Sequence, residues 1–589
     1  MIDNNENIPV NAENDGRQWE VLDIQPHPYI HLRFHRTVPA PFVSEERAFC
    51  RGQRNIPLTA ETEADFFELF YDEEILGRYV DETNKKVSKM AKPVWNNDKQ
   101  LSIVELKKFF ACMMYMDCVQ VQGSIRRYWE RGLFGDDFVK KLFTRSRFLA
   151  IMHNLTWLDT SDISDRERAQ RNRVDAFWTI SSLFDEMAKR SQKFFLPYRN
   201  ISVDEMVVFY KGRHRCRCYN PAKPCKWHFK IFALCDSKTG YLWNWHLYRG
   251  KDERRPPGMS ASSYPVIILT NHPDLHDKDH ILATDNWFTS FELFEDVTNA
   301  PKNMHFVGTM RVNRDGFPRE AAFAKKGRNK KNRGEMNQVF FEFSDGVKAY
   351  ITAWMDRKPV HMLSSFPANG IKCYRMVKNA AGQWEKKELD FPTTIEVYNK
   401  TMGGVDKNDQ FAAYYDYRLK VRKRWQPRLE RRVLKTALIN AHILKCHDPV
   451  SGIKESLLDF TQKLILQWAS DNNQDDVLDN QDDDEQEITN APRYLLSKTL
   501  EKNVEDRLTG VHIPAFKSMY PYDPKTKKVD KTNICNKRMA CRVCKRKVSS
   551  YCKNCDVGLC IGNGIHQNCF EIFHTEKTFG AKARQSESK

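Results

Sequence analysis

Residues 281–290, Ile-Leu-Ala-Thr-Asp-Asn-Trp-Phe-Thr-Ser, constrain the fold of this chain more than any other stretch. Ile281, Leu282 and Ala283 make a short apolar run of the kind found in strands buried on both faces. Asp285 ends the run, and Phe288, Phe291, Phe294 and Val297 follow at helical spacing. A carboxylate where a buried strand turns into a helix faces the crevice at the end of a sheet, where open α/β sheets hold their ligands. An aspartate that merely caps the helix would stand at the same place.

The surrounding residues extend the sheet. Residues 201–210 read as a strand carrying Asp204 and Glu205. Residues 227–234 alternate, 236–240 form a turn, and 241–248 return as a strand. A Pro- and Gly-rich connection at 256–258 leads to the Asp285 strand, its helix and a further strand at 305–310. Strands in hairpin order, then strands alternating with helices, predict an α/β fold with a mixed sheet covered by helices, the order of the ribonuclease-H-like fold. This core spans residues 199–311. Residues 312–392 interrupt it. A basic loop at 325–333 has six basic residues in nine, among them Lys325, Lys326 and Arg328. Strand-like runs follow at 338–343, 349–354 and 361–364, which predicts an inserted β module whose loop faces DNA or solvent.

Ahead of the core, residues 1–55 have the polar, weakly patterned composition of a flexible tail. Residues 56–198 read as helices, among them 64–71, 102–116 and 174–187, with Ser102 and Glu105 spaced as a capping box. Arg126, Arg127, Arg131, Arg145 and Arg147 distribute charge through this region, which suits DNA contact or plain solvation. After the core, residues 393–415 carry Asp406 and Asp409, three apart, so a helix presents both carboxylates on one face. Two such groups repel unless a cation neutralises them. Residues 418–432 hold eight basic residues against one acidic, with Trp425 beside Arg422, Lys423 and Arg424. Basic groups around an aromatic suit phosphate contact with stacking or wedging. Leu429, Val433, Ala437, Ala441 and Leu444 run along one face of the 416–470 helical region, as core residues do.

Three blocks in this order resemble the catalytic blocks of piggyBac-family transposases. They are Asp204 and Glu205 followed by Lys211, Gly212 and Arg213; Asp285 to Ser290; and Gly403, Gly404, Val405 and Asp406 followed by Asp409 and Gln410. The resemblance implies a ribonuclease-H-like core with Asp204, Asp285 and Asp406 as catalytic aspartates and Asp409 as an assisting carboxylate. It also implies Trp425 as a DNA contact, flanking helical regions that bind DNA and form a homodimer, cleavage at transposon ends through a hairpin intermediate, and insertion at TTAA. The chemistry agrees with the name. Phosphodiester cleavage and strand transfer need an activated oxygen nucleophile, a stabilised leaving oxygen and neutralised charge on phosphorus, which two Mg²⁺ ions supply. Aspartates offer the hard oxygen ligands that Mg²⁺ takes.

A formal charge of +17 and a pI near 9.1 favour a polyanionic partner, double-stranded DNA before a membrane. No apolar run of about 18 residues and no signal-peptide pattern occur, so a soluble, intracellular chain is expected. Its 16 cysteines then read as thiols or metal ligands. Residues 471–490 form an acidic linker, with nine acidic residues and no basic one between Asp471 and Glu487. Residues 491–540 are partly helical and basic. Residues 524–547 hold ten basic residues against one acidic, which suits a nuclear address. In 541–575 the pairs Cys541 and Cys544, Cys552 and Cys555, Cys560 and His566, and Cys569 and His574 supply eight ligands for two tetrahedral Zn²⁺ ions, read as a cross-brace with alternate pairs sharing an ion. His214, Cys216, Cys218, Cys225 and His228 are irregularly spaced and read as a hairpin connection. Two alternatives stay open: a former transposase that binds DNA without cutting, and a RING-like ubiquitin ligase. The intact carboxylates favour cleavage over the first, and the second leaves the aspartates and the charge unexplained.

Overall fold

The computed structural model describes residues 20–22, 52–121, 123–130, 135–250, 255–324, 331–343, 346–378, 382–415, 424–447 and 455–470, with short paired strands between 514 and 558. The chain divides into two compact units, Met1–Asp476 and Val477–Lys589, and the boundary falls in the acidic stretch read as a linker.

Short strands β1 (Glu20–Leu22) and β2 (Gly52–Gln53) precede a run of helices. These are α1 (Glu63–Glu68), α2 (Glu73–Ser88), α3 (Ile103–Val119), α4 (Asp137–Leu142), α5 (Arg145–Asn154), α6 (Asp165–Val174) and α7 (Ser181–Phe194). Ser102 caps α3 as its spacing predicts, accepting from the Glu105 N–H at 3.1 Å. The Glu105 carboxylate grips Arg147 instead of completing a box, with both contacts at 2.6 Å. Arg147 also lies 4.6 Å over the Trp95 ring, so it ties helices together. The helix expected over 174–187 is broken. The Asp175 carboxylate accepts from the Phe177 N–H and the Ser181 hydroxyl, and this turn separates α6 from α7.

The sheet follows, with β3 (Phe195–Leu196), β4 (Asn200–Phe209), β5 (Cys218–Tyr219), β6 (Trp227–Asp236), β7 (Leu242–Leu247), β8 (Ile281–Thr284), β9 (His305–Thr309), β10 (Met336–Glu342), β11 (Lys348–Met355) and β12 (Pro359–Ser364). Helices α8 (Tyr264–Thr270) and α9 (Phe291–Thr298) flank β8 in sequence. The strand order is β7-β6-β4-β8-β9-β12-β11-β10-β1, with β5 also on β6. β4, β8 and β9 run parallel and the other pairs antiparallel. All four residues of β8 are buried, as a central parallel strand requires.

One expectation is corrected here. Most strands of residues 312–392 continue the central sheet, because β12 pairs with β9 (Met362 opposite Thr309, Leu363 opposite Gly308). Without β12, β9 would be an open edge with unpaired N–H and C=O groups. Alternation identifies a strand but not the edge it covers. Only the hairpin of β13 (Gly370–Lys378) and β14 (Trp384–Pro392) forms its own two-stranded sheet.

The helix expected at 393–415 is two helices, α10 (Thr393–Thr401) and α11 (Gly404–Tyr414). Next come α12 (Gln426–Cys446) and α13 (Leu457–Ala469), which pack back on the first helical region. Trp468 meets Phe67 of α1 with ring centroids 5.0 Å apart, and its Nε1 donates to Glu68 at 2.8 Å. Burying one such large side chain contributes about 1.5–3 kcal/mol, so helices from both ends of this unit stabilise one body. No described helix is long and apolar enough to cross a membrane.

Candidate active site

Asp204 and Asp285 reach the same end of the sheet through strand register. Parallel pairing sets Val203 opposite Thr284, and the next residue on each chain is an aspartate. The Asp285 carboxylate accepts from the N–H groups of Trp287 (2.9 Å) and Phe288 (3.4 Å), so it stabilises its own turn. The helix cap belongs to Ser290, whose hydroxyl accepts from the Leu293 N–H at 3.2 Å. Thr289 donates to the Asp285 carbonyl at 2.8 Å and touches the Thr284 hydroxyl at 2.9 Å, anchoring the loop to the end of β8. Gly308 on β9 permits this: a Cβ there would stand 2.3 Å from Thr289 Oγ1.

Asp406 arrives on α11, whose N-terminus lies directly on the sheet. A Cβ at Gly404 would stand 2.7 Å from Ser202 Oγ and 3.0 Å from the Asp236 carbonyl, so only glycine allows this approach. Asn408 donates to the Gly240 carbonyl at 3.0 Å, and Lys407 donates to the carbonyls of Ser237 and Lys238, clamping α11 onto the β6–β7 turn. Asp406 is exposed at the front of this helix.

The electrostatics separate the acids. Burial, Asp285 and Asp406 push Asp204 up to about 7, against the lowering effect of the Glu205 N–H. Burial raises Asp285, assisted by Glu205, while the two backbone donors and Arg311 oppose it. Burial also raises Glu205, yet Lys230 and Lys223 hold it below the usual carboxylate range. Burial raises Asp409 too, with Arg432 opposing and Asp406 reinforcing the shift. Asp409 stands 3.0 Å from the Arg432 guanidinium.

The structure adds residues that pattern reasoning did not single out. Tyr398 on α10 hydrogen-bonds Thr309 and lies in the field of Asp285, Asp204 and Asp406; burial and those acids push its hydroxyl up to about 12, so it is a neutral donor at ordinary pH. Arg311 donates to the Asn286 side chain at 2.9 Å, and Arg314 to the backbone carbonyls of Asn286 and Trp287. Their place just after the strand at 305–309 was the available signal.

Trp425 is half-buried. Its ring meets Phe177 edge-on at 5.3 Å and His214 at 5.0 Å, and His214 stacks on Phe177 at 4.7 Å. Arg424 is exposed and donates to the His153 carbonyl at 2.8 Å. Lys325, Lys326, Arg328, Arg422 and Lys423 lie outside the described residues, as do Cys541, Cys544, Cys555, Cys560, His566, Cys569 and His574 and the side chain of Cys552. Among the described residues, no three His, Cys, Asp or Glu side chains are gathered closely enough to hold a metal ion as they stand, the His214–His228 hairpin included. The donor chemistry of Asp204, Asp285 and Asp406 nonetheless fits a hard divalent cation. Asp285 and Asp406 both raise the proton affinity of Asp204, and a bound cation would offset that repulsion.

A family profile described as "Transposase IS4" matches residues 62–442. The human PiggyBac transposable element-derived protein 3 is 25% identical over 529 residues, 87% of this chain and 76% of that protein. The human PiggyBac transposable element-derived protein 2 is 23% identical over 393 residues, 65% of this chain and 62% of that protein. The fold is similar to that in a cryo-EM structure of a piggyBac transposase synaptic complex with hairpin DNA, with a TM-score of 0.59, 22% identity, and coverage of 87% of this chain and 99% of that one. The chain belongs to the transposase family that the profile describes, as a piggyBac-type member.

Proposed function

We propose that this chain is a DDE-type DNA transposase that cuts DNA at the ends of its own element and joins them to a TTAA target, acting as a homodimer in the nucleus. The observation that carries this reading is the shared register that brings Asp204 and Asp285 to adjacent strand ends, with Asp406 close enough to raise Asp204. The sheet order β7-β6-β4-β8-β9 supports a ribonuclease-H-like core.

Asp204, Asp285 and Asp406 would hold Mg²⁺, which when bound supplies charge neutralisation and activation of an attacking oxygen. The remaining groups act directly. Lys230 and Lys223 occupy Glu205 and keep it out of the set. Arg311 and Arg314 hold the Asp285 loop and add positive charge where a DNA phosphate would lie. Tyr398 stays protonated beside the three acids. The basic segment Arg422, Lys423 and Arg424, with the Lys325, Lys326 and Arg328 loop, would carry duplex phosphates.

In the second unit, Met539–Ala540 pairs with Lys547–Val548, and Ser550–Cys552 with Val557–Gly558. The first pairing brackets Cys541 and Cys544, and the second carries Cys552 on its strand and brackets Cys555, which supports hairpin knuckles for two structural Zn²⁺ ions. A second reading, DNA binding without cleavage, draws on the relatives' names as transposable element-derived proteins.

Incubating the chain with Mg²⁺ and the DNA flanking its own gene decides between them. Nicks and hairpins at the element ends are expected. Tight, specific binding with no strand cut would leave the second reading.

A further inference from the structure

Helix α11, which carries Asp406, is fixed by side chains of α12 as well as by the sheet. Arg432 lies in the second turn of α12 and its side chain is 9% exposed. One terminal nitrogen of its guanidinium donates to Asn408 Oδ1 at 2.9 Å and to Asp409 Oδ1 at 3.0 Å, and lies 3.1 Å from Met206 Sδ. Met206 is two residues beyond Asp204 on β4 and so points from the same face of the strand. A single buried cation therefore bridges the strand that carries Asp204 and the helix that carries Asp406. One turn further along α12, Lys435 donates to the carbonyls of Ala412 (3.2 Å) and Tyr415 (2.9 Å) at the far end of α11.

Three physical points give the bridge its consequence. Asp409 sits three residues from Asp406, and the two carboxylates repel. Arg432 offsets that repulsion on the Asp409 side, leaving Asp406 as the exposed acid of the pair. Removing one partner of a buried ion pair leaves the other charge uncompensated, so the helix would shift to hydrate it.

We propose that Arg432 is a positioning residue for the reacting centre: it ties α11 to β4 and so sets Asp406 against Asp204 and Asp285. Asp409 is then the anchor of Arg432 and not a fourth ligand. The inference rests on the cleavage reading for its consequence, but its structural part stands apart from that reading.

The test uses the full chain and the variants Arg432→Gln, Arg432→Lys and Asp409→Asn. Hydrogen exchange of residues 404–414 in Arg432→Gln should quicken by about tenfold or more, the loss of one charge-assisted hydrogen bond. Mn²⁺ should bind about tenfold more weakly for the same reason, with DNA affinity held. Cleavage under single turnover should slow by about 10²-fold, as a small misplacement of a reacting group does. Arg432→Lys should recover part of each loss, since it keeps the charge and loses the fork. Asp409→Asn, whose amide oxygen still accepts from Arg432, should keep its Mn²⁺ affinity within about threefold.

Unchanged exchange and unchanged Mn²⁺ affinity in folded Arg432→Gln overturn the inference. So does an Asp409→Asn variant needing about tenfold more Mn²⁺, which would make Asp409 a ligand. If Arg432→Gln does not fold, Arg432→Lys decides by the same readouts. If the unmodified chain neither binds Mn²⁺ nor cuts DNA, the cleavage reading fails, and exchange in α11 still decides the role of Arg432.

Discussion

Lys230 on β6 binds the carboxylate of Glu205 on β4, and this pairing separates two acids that are adjacent in sequence. Glu205 lies below the usual carboxylate range despite its burial, because Lys230 and Lys223 hold it there. Its neighbour Asp204 has no such cation, and burial with Asp285 and Asp406 pushes it up to about 7. The strand thus presents one neutralised acid and one that takes up either a proton or a cation.

That contrast sets a pH dependence. The folded form of Asp204 holds its proton to about 7, whereas the unfolded form loses it near the ordinary aspartate value of 3.8. Between those limits the native state binds more protons than the unfolded state, so stability falls as pH rises through the window and levels off above it. In chelator, Asp204→Asn should therefore be more stable than the unmodified chain at pH near 8, by about 2–4 kcal/mol. The gap should shrink toward pH near 5, and adding Mg²⁺ at pH near 8 should stabilise only the unmodified chain. Parallel thermal unfolding of both proteins measures it; a gap independent of pH contradicts the assignment.

Asp204→Asn, Asp285→Asn and Asp406→Asn should each lower Mg²⁺-dependent strand cleavage by about 10²–10³-fold or more, the range for losing one preorganised charged group. DNA binding should persist in all three, because a carboxylate offers a phosphate neither a donor nor an opposite charge. Gel-shift and cleavage assays on the same preparations check this, and an Asp285→Asn variant cutting at the unmodified rate refutes it.

Gly404→Ala tests the seating of α11. The added methyl would meet Ser202 Oγ at 2.7 Å and the Asp236 carbonyl at 3.0 Å, on a strand and a turn that cannot easily yield. A loss of about 1–3 kcal/mol is expected from such overpacking. Cleavage should drop with it, whereas Gly403→Ala, which has no atom within 4 Å, should be near neutral.

Trp425 now has a packing role beside its expected DNA contact. Trp425→Ala removes contacts with Phe177 and His214 and should cost about 2 kcal/mol of stability, less than a fully buried tryptophan. Trp425→Phe keeps a ring in the cluster. If that variant is stable but binds end DNA poorly, the indole contacts DNA as well; equal binding assigns it to packing alone.

Metal analysis of the full chain should find two zinc ions. A strong chelator should abolish selective end binding without altering the unfolding of the Met1–Asp476 unit. Truncation after Ala491 should have the same effect on binding and leave the catalytic unit folded. One zinc would remove His566 or the cross-brace pairing, and none would remove the module.

Much of the site was legible along the chain. A fully buried β8 followed at once by Asp285, a β4 strand carrying Asp204 and a Gly-Gly-Val-Asp block leading a helix are local patterns, and each lies where its pattern indicated. Backbone period and turn chemistry act over a few neighbouring residues, so a single stretch is enough to read them. Partnerships across the chain were not legible. That β12 covers β9, that Glu205 is held by Lys230, that Glu105 takes Arg147 instead of closing its own cap, and that Asp409 meets Arg432 are all choices among distant groups of equal local suitability. Sequence determined which residues could pair and which face they would present. Tertiary structure decided the pairs, because a buried charge or an open strand edge takes the partner that packing brings to it.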